Sequence, residues 1–181
     1  MKDRIKESLN LIYEFIRNPF AKPLDKLDDD KSLVIVASIL SYFTFIVKTI
    51  NNSDSFYAPY MYLVYLTIGL ILSPLFGILI VHFKGTIFHL YLKYIASPII
   101  KQQLDNNLKA KQIQTFTTIG LIVTGVPSLY YVGLLIGLTI EFLGIYRLFK
   151  IDWKVSLLIS IIYNAIWWGL IYLIANGTSW I

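Results

Sequence analysis

Long apolar runs separated by short polar segments dominate the pattern of this chain. Residues 32–50 carry Lys48 as their one charged residue, and residues 61–83 and 155–175 are similarly apolar. Residues 32–50 would extend roughly 28 Å as a helix, which matches a hydrocarbon core of about 30 Å. The pattern therefore predicts an all-α fold, a polytopic transmembrane helix bundle.

The middle of the chain allows two topologies. Residues 113–149 form a nearly unbroken apolar run, about 55 Å long as a single helix and too long for one crossing. The Gly-Val-Pro-Ser segment at 125–128 indicates a turn that divides this run into two spans. With residues 86–100 re-entrant or interfacial, the count is about five spans. If residues 86–100 cross instead and 113–147 is one bent span, the count is also five.

Positive charges favour the first topology. The chain has sixteen Lys and Arg and a formal net charge of +5, and cationic loops resist translocation. Seven lie in residues 1–31, one at position 48, five in residues 84–111 and three in residues 147–154. The first topology places fifteen of them on one side, whereas the second exports Lys101, Lys109 and Lys111. We therefore expect a cell-membrane protein with a cytoplasmic N-terminus and an outer C-terminus. Aromatic residues should lie at the outer interface: Phe56, Tyr57, Tyr60, Tyr62 and Trp180.

The N-terminal residues 1–17 have the spacing of an amphipathic helix on the membrane surface. Apolar positions recur about every four residues, at Met1, Ile5, Leu9, Ile12 and Ile16. The segment lacks the apolar core and cleavage site of a secretory signal, so we expect it to be retained. In the connector that follows, three aspartates at 28–30 suit the positive end of the next helix better than a metal ion. We assign residues 1–31 to the cytoplasmic helix and connector, 32–175 to the transmembrane domain and 176–181 to a short outer tail.

Small residues within the spans predict where helices approach closely. One helix face repeats them at four-residue intervals: Gly69, Ser73 and Gly77. Pro74 lies beside this face and should bend the span, since proline removes a backbone hydrogen bond. Pro98 and Pro127 are further predicted kink or turn positions.

Glu141 is the most informative single residue. An ionised carboxylate inside a membrane costs several kcal/mol unless it faces protein or water. Its helical face also carries Gly133, Gly137 and Gly144, so we expect a closely packed interface. Candidate partners are Asn164, His89 or a nearby lysine, or the carboxyl group is protonated. Two interpretations stay open: a proton or cation site, or a structural hydrogen bond between helices.

The motif inventory argues against an enzyme. The sequence contains no cysteine, no HExxH zinc motif, no GxSxG nucleophile turn and no GxxxxGK[ST] phosphate loop. His82 and His89 are seven residues apart, about 10 Å along a helix and too far for one metal ion. We therefore expect no catalytic residue, no metal and no cofactor. Basic residues and aromatics flank the spans, which indicates contact with the lipid bilayer rather than with nucleic acid.

Three stretches beside the spans carry a family resemblance: IRNPFAKPLDKL before the first span, FKGTIFHLYLKYIASP after the second and YRLFKIDWKVS before the last. Within the second stretch, the residues that match are Gly85, Phe88, Tyr94 and Pro98. Together these features resemble the Ypt-interacting-protein (YIP) domain family of five-span membrane proteins, over roughly residues 15–175. The resemblance implies a cytoplasmic N-terminus, a crossing by residues 86–100 and an outer or luminal C-terminus. It also implies a link to membrane traffic, where eukaryotic members bind small GTPases and partner membrane proteins.

Three functional hypotheses follow. The first is a non-enzymatic scaffold or membrane-organising protein whose glycine-lined spans pack with each other, with a partner membrane protein or in a homo-oligomer. The second is a small transporter or channel subunit that uses Glu141, and the third is an accessory subunit of a larger membrane complex. A water-filled route to Glu141 would favour the second, and a dry Glu141 with a lipid-exposed small-residue face would favour the others. The Ile-, Lys- and Tyr-rich composition suggests a prokaryotic source.

Overall fold

The computed structural model describes residues 2–18, 27, 29–51 and 60–177, which fold into a helical bundle. This part of the chain contains six helices: α1 Lys2–Arg17, α2 Asp30–Asn51, α3 Tyr60–Ile100, α4 Asn107–Thr124, α5 Tyr130–Phe149 and α6 Trp153–Gly177. No strand occurs in those ranges, so the predicted all-α fold is confirmed. Of the predicted interface aromatics, Phe56, Tyr57 and Trp180 lie outside the described residues, while Tyr60 and Tyr62 lie in the first turn of α3.

Four of the described helices are long and apolar enough to cross a membrane: Asp30–Asn51, Tyr60–Ile100, Pro127–Phe149 and Trp153–Leu170. The protein is therefore a multi-pass membrane protein, with apolar helices suited to lipid contact. This number is roughly consistent with the predicted five spans. The remaining predicted span, residues 113–127, falls largely in α4, whose polar side chains make it less apolar than the other four.

α3 continues past residue 83, where the predicted second span ends, and includes residues 86–100, which the favoured topology treats as a separate re-entrant or interfacial segment. It is one helix of 41 residues, with π-helical segments at Leu79–Lys84 and Leu92–Ala96. Gly85 keeps a right-handed helical backbone, with φ −63° and ψ −40°. A Cβ atom on Gly85 would lie 2.8 Å from Cγ of Lys111. The glycine therefore permits the close approach of α4 rather than a turn.

The prolines of α3 do not end the helix. Pro74 cannot donate to the Leu70 carbonyl, and Ser73 Oγ donates to that carbonyl instead, at 3.1 Å. Pro98 follows the second π-helical segment and lies in the last helical turn, Ser97–Ile100. The helix therefore continues through both prolines. At Pro74 the Ser73 hydroxyl replaces the missing backbone donor, and Pro98 lies in the last helical turn.

The predicted turn at residues 125–128 is confirmed. α4 ends before Gly125, and a 3₁₀ turn that begins at Pro127 leads into α5. The resulting helix pair is closely packed, since a Cβ atom on Gly120 would lie 2.6 Å from the carbonyl oxygen of Gly133. This hairpin places the middle of α4 directly against the middle of α5.

The predicted small-residue face of α3 packs against α2. Its members Gly69, Ser73 and Gly77 are buried. A Cβ atom on Gly69 would lie 2.9 Å from Cβ of Phe45, and one on Gly77 would overlap Ser38. This face is therefore used within the chain.

α1 packs against the bundle through a face that shares only Ile12 with the predicted apolar face. Leu11, Ile12 and Phe15 are buried, and the rings of Phe15 and Phe116 stack with centroids 3.8 Å apart. The other described members of the predicted face are exposed: Ile5, Leu9 and Ile16. The helix thus has one apolar face on the bundle and another turned outward, an arrangement that suits the membrane surface.

Candidate functional site

Glu141 lies inside the bundle, where α4, α5 and α6 meet, and 3% of its surface is exposed. Its Oε2 atom accepts a hydrogen bond from Gln114 Nε2 at 3.0 Å. Its Oε1 atom accepts hydrogen bonds from Ser160 Oγ at 2.9 Å and from Asn164 Nδ2 at 3.0 Å. The carboxyl group therefore joins α5 to both neighbouring helices.

Of the candidate partners named from the sequence, the structure brings Asn164 to Glu141 and leaves His89 elsewhere. Ser160 and Asn164 are four residues apart on α6, so both side chains reach the same oxygen atom. His89 Nε2 instead lies 3.3 Å from Oδ1 of Asp105, in the connection between α3 and α4. His89 is therefore not a partner of the carboxylate.

Glycines position Glu141 against α4. On α5, Gly133 and Gly144 are buried with Glu141. A Cβ atom on Gly120 of α4 would lie 2.7 Å from the backbone nitrogen of Gly137. The missing side chains let the two backbones approach closely enough for an α4 amide to reach the carboxylate.

Lys84 brings a positive charge to the same network. It is the last residue of the first π-helical segment of α3, a type of irregularity that is frequent at functional sites. Its Nζ donates to Thr117 Oγ1 at 3.0 Å, and this oxygen lies 3.4 Å from Gln114 Oε1. Lys84 and Glu141 are close enough for their charges to interact. A continuous polar chain thus runs from Lys84 through Thr117 and Gln114 to Glu141.

The groups around Glu141 suit a carboxylate. The amides of Gln114 and Asn164 and the hydroxyl of Ser160 all donate, whereas an ionised carboxylate can only accept. Hydrogen bonds to a charged acceptor are stronger than neutral ones. Lys84 supplies the positive charge that an ionised Glu141 requires nearby in the membrane interior.

A cavity of about 670 Å³ lies beside this network. Its polar lining side chains include Lys84, Thr117, Glu141 and Asn164. Four aromatic residues also line the cavity, Tyr131, Tyr163, Trp167 and Trp168, of which Tyr131 and Trp168 are exposed. Small-molecule sites typically measure roughly 300–1,000 Å³ and combine apolar walls with a few polar groups. The cavity fits that description.

Tyr163 carries an unsatisfied polar atom in the cavity wall. Its ring packs against Phe88 with centroids 4.7 Å apart. The neighbouring Tyr91 hydroxyl donates to the Ile159 carbonyl at 2.8 Å. The buried Tyr163 hydroxyl, in contrast, has no hydrogen-bond partner within the described part of the chain. Buried polar groups are normally paired, so this atom lacks a contact that the chain itself does not supply.

The residues of the family-like motif lie along α3. Gly85 packs against α4, and Phe88 packs against Tyr163 behind the cavity wall. Tyr94 is exposed, with its ring centroid 5.6 Å from Lys93 Nζ, and Pro98 lies near the end of the helix. The family-like motif is therefore connected to the site through Phe88, which packs against the cavity-lining Tyr163.

Sequence reasoning missed Lys84, Gln114, Thr117 and Ser160 as members of the site. Gln114 gives a usable signal, because an amide within the apolar run of residues 113–149 needs an internal partner. Lys84 gives none, since it stands at the predicted end of a span, where lysines normally extend to the headgroups.

No group of three metal-ligating side chains lies together among the residues that the structure describes. Comparison of the chain with protein-family models, curated proteins and solved structures finds no match. The resemblance to the YIP family therefore stays a prediction. The fold and the site together define a multi-pass helical membrane protein with a charged interior beside a cavity, and function must be argued from that site.

Proposed function

We propose that the protein is a small transporter or channel subunit that binds a solute in the cavity beside Glu141. The observation that carries this proposal is that Glu141 and Lys84, from two different helices, line one cavity of about 670 Å³. Ionisable side chains inside membranes often mark the path of a substrate or ion. The polar chain between the two residues would supply binding groups for such a solute.

Helix packing does not by itself account for the two charges. The glycines of α4 and α5 already bring these helices together. Burying an acid and a base costs several kcal/mol for each ion, and apolar residues of similar volume often replace such pairs without loss of stability. A role in binding a solute would explain why Glu141 and Lys84 are both present in the interior.

Access from both sides of the membrane tests this proposal without knowledge of the solute. The chain has no cysteine, so Leu138→Cys introduces a single thiol in the cavity wall, three residues before Glu141. A membrane-impermeant methanethiosulfonate reagent is added to right-side-out and to inverted vesicles, and labelling is measured as a mass increase. We expect labelling from both faces, because a transport site must open to each side.

Ile71→Cys is the matched control. Ile71 is 69% exposed on the outer surface of α3, where its thiol would face lipid and remain uncharged and unreactive. We expect no labelling of this variant from either face. Labelling of Leu138→Cys from one face only, or from neither, would contradict the transporter proposal.

A second candidate is a membrane-organising scaffold of the YIP type, and the outer face of α6 favours it. Gly169 is exposed, and so is Ala165, four residues before it, which also borders the cavity. No described atom lies within 4 Å of a Cβ atom built on Gly169, apart from its own helix. Small residues at this spacing on a lipid-facing surface let a second helix approach.

Self-association in bilayers tests the scaffold candidate. The number of photobleaching steps of the labelled protein is counted for the wild type, Gly169→Ala and Gly169→Leu. An interface at this face predicts dimers for wild type and Gly169→Ala and monomers for Gly169→Leu, because the larger side chain blocks close approach. The scaffold candidate would be contradicted if the wild-type protein stays monomeric both when it is reconstituted alone and when it is reconstituted with other membrane proteins.

We also propose that the N-terminus is cytoplasmic, which the distribution of Lys and Arg supports. Gln103 is exposed in the connection between α3 and α4, so Gln103→Cys reports the side of this connection. We expect an impermeant thiol reagent to label it from the cytoplasmic face. Labelling from the outer face would reverse the assignment.

A further inference from the structure

The cavity offers unused hydrogen-bond donors at its polar end. An ammonium group has three N–H donors, and Lys84 donates to Thr117 with no other hydrogen-bond partner among the described residues. Glu141, in contrast, already accepts on both of its oxygen atoms. The site is therefore better prepared to bind an acceptor, such as an anion, than a cation.

The aromatic and apolar lining residues indicate the chemistry of the rest of the ligand. Trp167, Trp168 and Tyr131 present aromatic surface to the cavity, and most of the other lining residues are leucine, glycine or alanine. Such a wall gains free energy by covering an apolar body. An anion with an apolar body would place its charged group at Lys84 and its apolar body against the aromatic side chains.

Charge balance adds a requirement for a proton. The titratable groups that face Glu141 are Lys84 and Tyr91 from α3 and Tyr163 from α6, while α4 contributes the uncharged Gln114 and Thr117. With both tyrosines neutral, Lys84 protonated and Glu141 ionised, the empty site holds one positive and one negative charge. A bound anion would leave one negative charge in excess inside the membrane, which is unfavourable. A proton from solvent on the Glu141 carboxyl group restores neutrality, with no other bond made or broken.

We infer that the cavity binds a small organic anion with an apolar body, held at Lys84, together with one proton. This inference rests on the proposed function and names its substrate class. The anionic group is a carboxylate or a group of similar chemistry, and the ligand would come from solution or, as a fatty acid, from the bilayer.

Calorimetric titration of the full chain in lipid nanodiscs tests the inference with three probes of matched size: phenylacetate, 2-phenylethanol and phenethylammonium. We expect saturable binding of phenylacetate and at least about tenfold weaker binding of the other two, because only the carboxylate pairs with Lys84. Titrations in buffers of different ionisation enthalpy should show uptake of about one proton per phenylacetate. Decanoate is the arm for a membrane-derived ligand, and its tighter binding would identify that source.

Two variants assign the roles of the residues. Lys84→Met should weaken phenylacetate binding by at least about tenfold. Glu141→Gln should still bind phenylacetate but without proton uptake. Lys154→Met is the control, since Lys154 is exposed outside the cavity, and it should behave as wild type. The comparison of probes uses the wild type, so it does not depend on the folding of any variant.

Outcomes that overturn this inference differ from those that overturn the proposed function. Equal or tighter binding of 2-phenylethanol or phenethylammonium would show a solute cavity that does not select anions. Binding of none of the probes, by a protein whose Leu138→Cys variant is labelled from both faces, would also reject the anion while keeping the transporter. Phenylacetate binding without proton uptake would reject the coupled proton. Failure of labelling from both faces would reject the function itself.

Discussion

α4 and the first part of α3, Tyr60–Ile78, distribute their residues in opposite ways. Every residue from 110 to 118 of α4 is buried. Most of these residues are polar: Lys111, Gln112, Gln114, Thr115, Thr117 and Thr118. Tyr60–Ile78 is far more apolar, yet its buried residues are Gly69, Ser73 and Gly77, and its large side chains point outward.

The contrast follows from the medium around the helices, which is lipid rather than water. Lipid tails are as apolar as leucine, so burial of an apolar side chain within the bundle gains little from the hydrophobic effect. Polar groups, in contrast, find no partner in lipid and are stabilised only inside the protein. In these two segments, polarity and small size therefore mark the buried residues better than hydrophobicity does.

The polar side chains of α4 reach partners in several directions. Lys111 Nζ lies 2.6 Å from Oδ2 of Asp30, at the start of α2. Gln112 Nε2 donates to the carbonyl of Leu27 at 2.9 Å, and Gln114 reaches Glu141 on α5. α4 is thus the element around which the polar contacts of the bundle are organised.

The largest test of the contrast truncates one large apolar side chain in each environment. Phe116→Ala deletes a side chain that is 0% exposed and stacked on Phe15 of α1. We expect a loss of about 3–5 kcal/mol in the free energy of unfolding, because a cavity replaces the ring. Ile71→Ala, on the lipid-facing side of α3, should cost less than about 1 kcal/mol, because lipid fills the space. Unfolding by sodium dodecyl sulfate in mixed micelles measures both, and equal losses would contradict the contrast.

The next test adds one methyl group to a glycine inside and outside the bundle. Gly120→Ala would place a carbon 2.6 Å from the Gly133 carbonyl oxygen, and backbone atoms cannot move aside cheaply. We expect a loss of about 1–3 kcal/mol from overpacking. Gly169→Ala meets open space and should be neutral or slightly stabilising, since alanine favours helix. The melting temperature in detergent distinguishes the two variants. A Gly120→Ala variant with the wild-type melting temperature would show that α4 and α5 leave room for the added methyl group.

A smaller effect is expected when a single hydroxyl is removed. Ser160→Ala deletes a donor to Glu141, which should cost about 1 kcal/mol, a typical value for hydrogen bonds inside membrane proteins. Ser41→Ala is the matched control, because Ser41 Oγ is buried but has no partner among the described residues. The difference between the two variants in sodium dodecyl sulfate titrations measures the contribution of the Glu141 network. No difference would mean that Ser160 adds nothing to it.

The smallest effect concerns an ion pair outside the enclosed core. The hydrogen bond from Lys93, 2.8 Å away, is the main cause that lowers the pKa of Asp105. A carboxyl group with a lowered folded-state pKa adds stability above its unfolded pKa of about 4, and this contribution disappears as the pH falls through the folded value. We expect Asp105→Asn to flatten the decrease in melting temperature between pH 6 and pH 3. Glu14→Gln, at an exposed carboxyl group of α1, is the control, and an unchanged slope for Asp105→Asn would contradict the assignment.

Part of the site could be predicted from the sequence. Glu141 stands within an apolar span on the same side as glycines, so a packed and polar interface follows from helical periodicity alone. Asn164 was a natural partner, because it is the amide of the last span. The choice of Gln114 and Ser160 could not be predicted, because it depends on which helices are neighbours and on their relative heights.

The sequence by itself determined the all-α membrane class, the approximate ends of α2, α5 and α6 and the turn at residues 125–128. These features depend on hydropathy and on local propensities of glycine and proline, which act over a few residues. The tertiary structure decided that α3 continues through Gly85, that polar α4 is enclosed and that Lys84 lines the cavity with Glu141. Those outcomes depend on contacts between residues far apart in the chain, where close approach of two backbones determines which side chains meet.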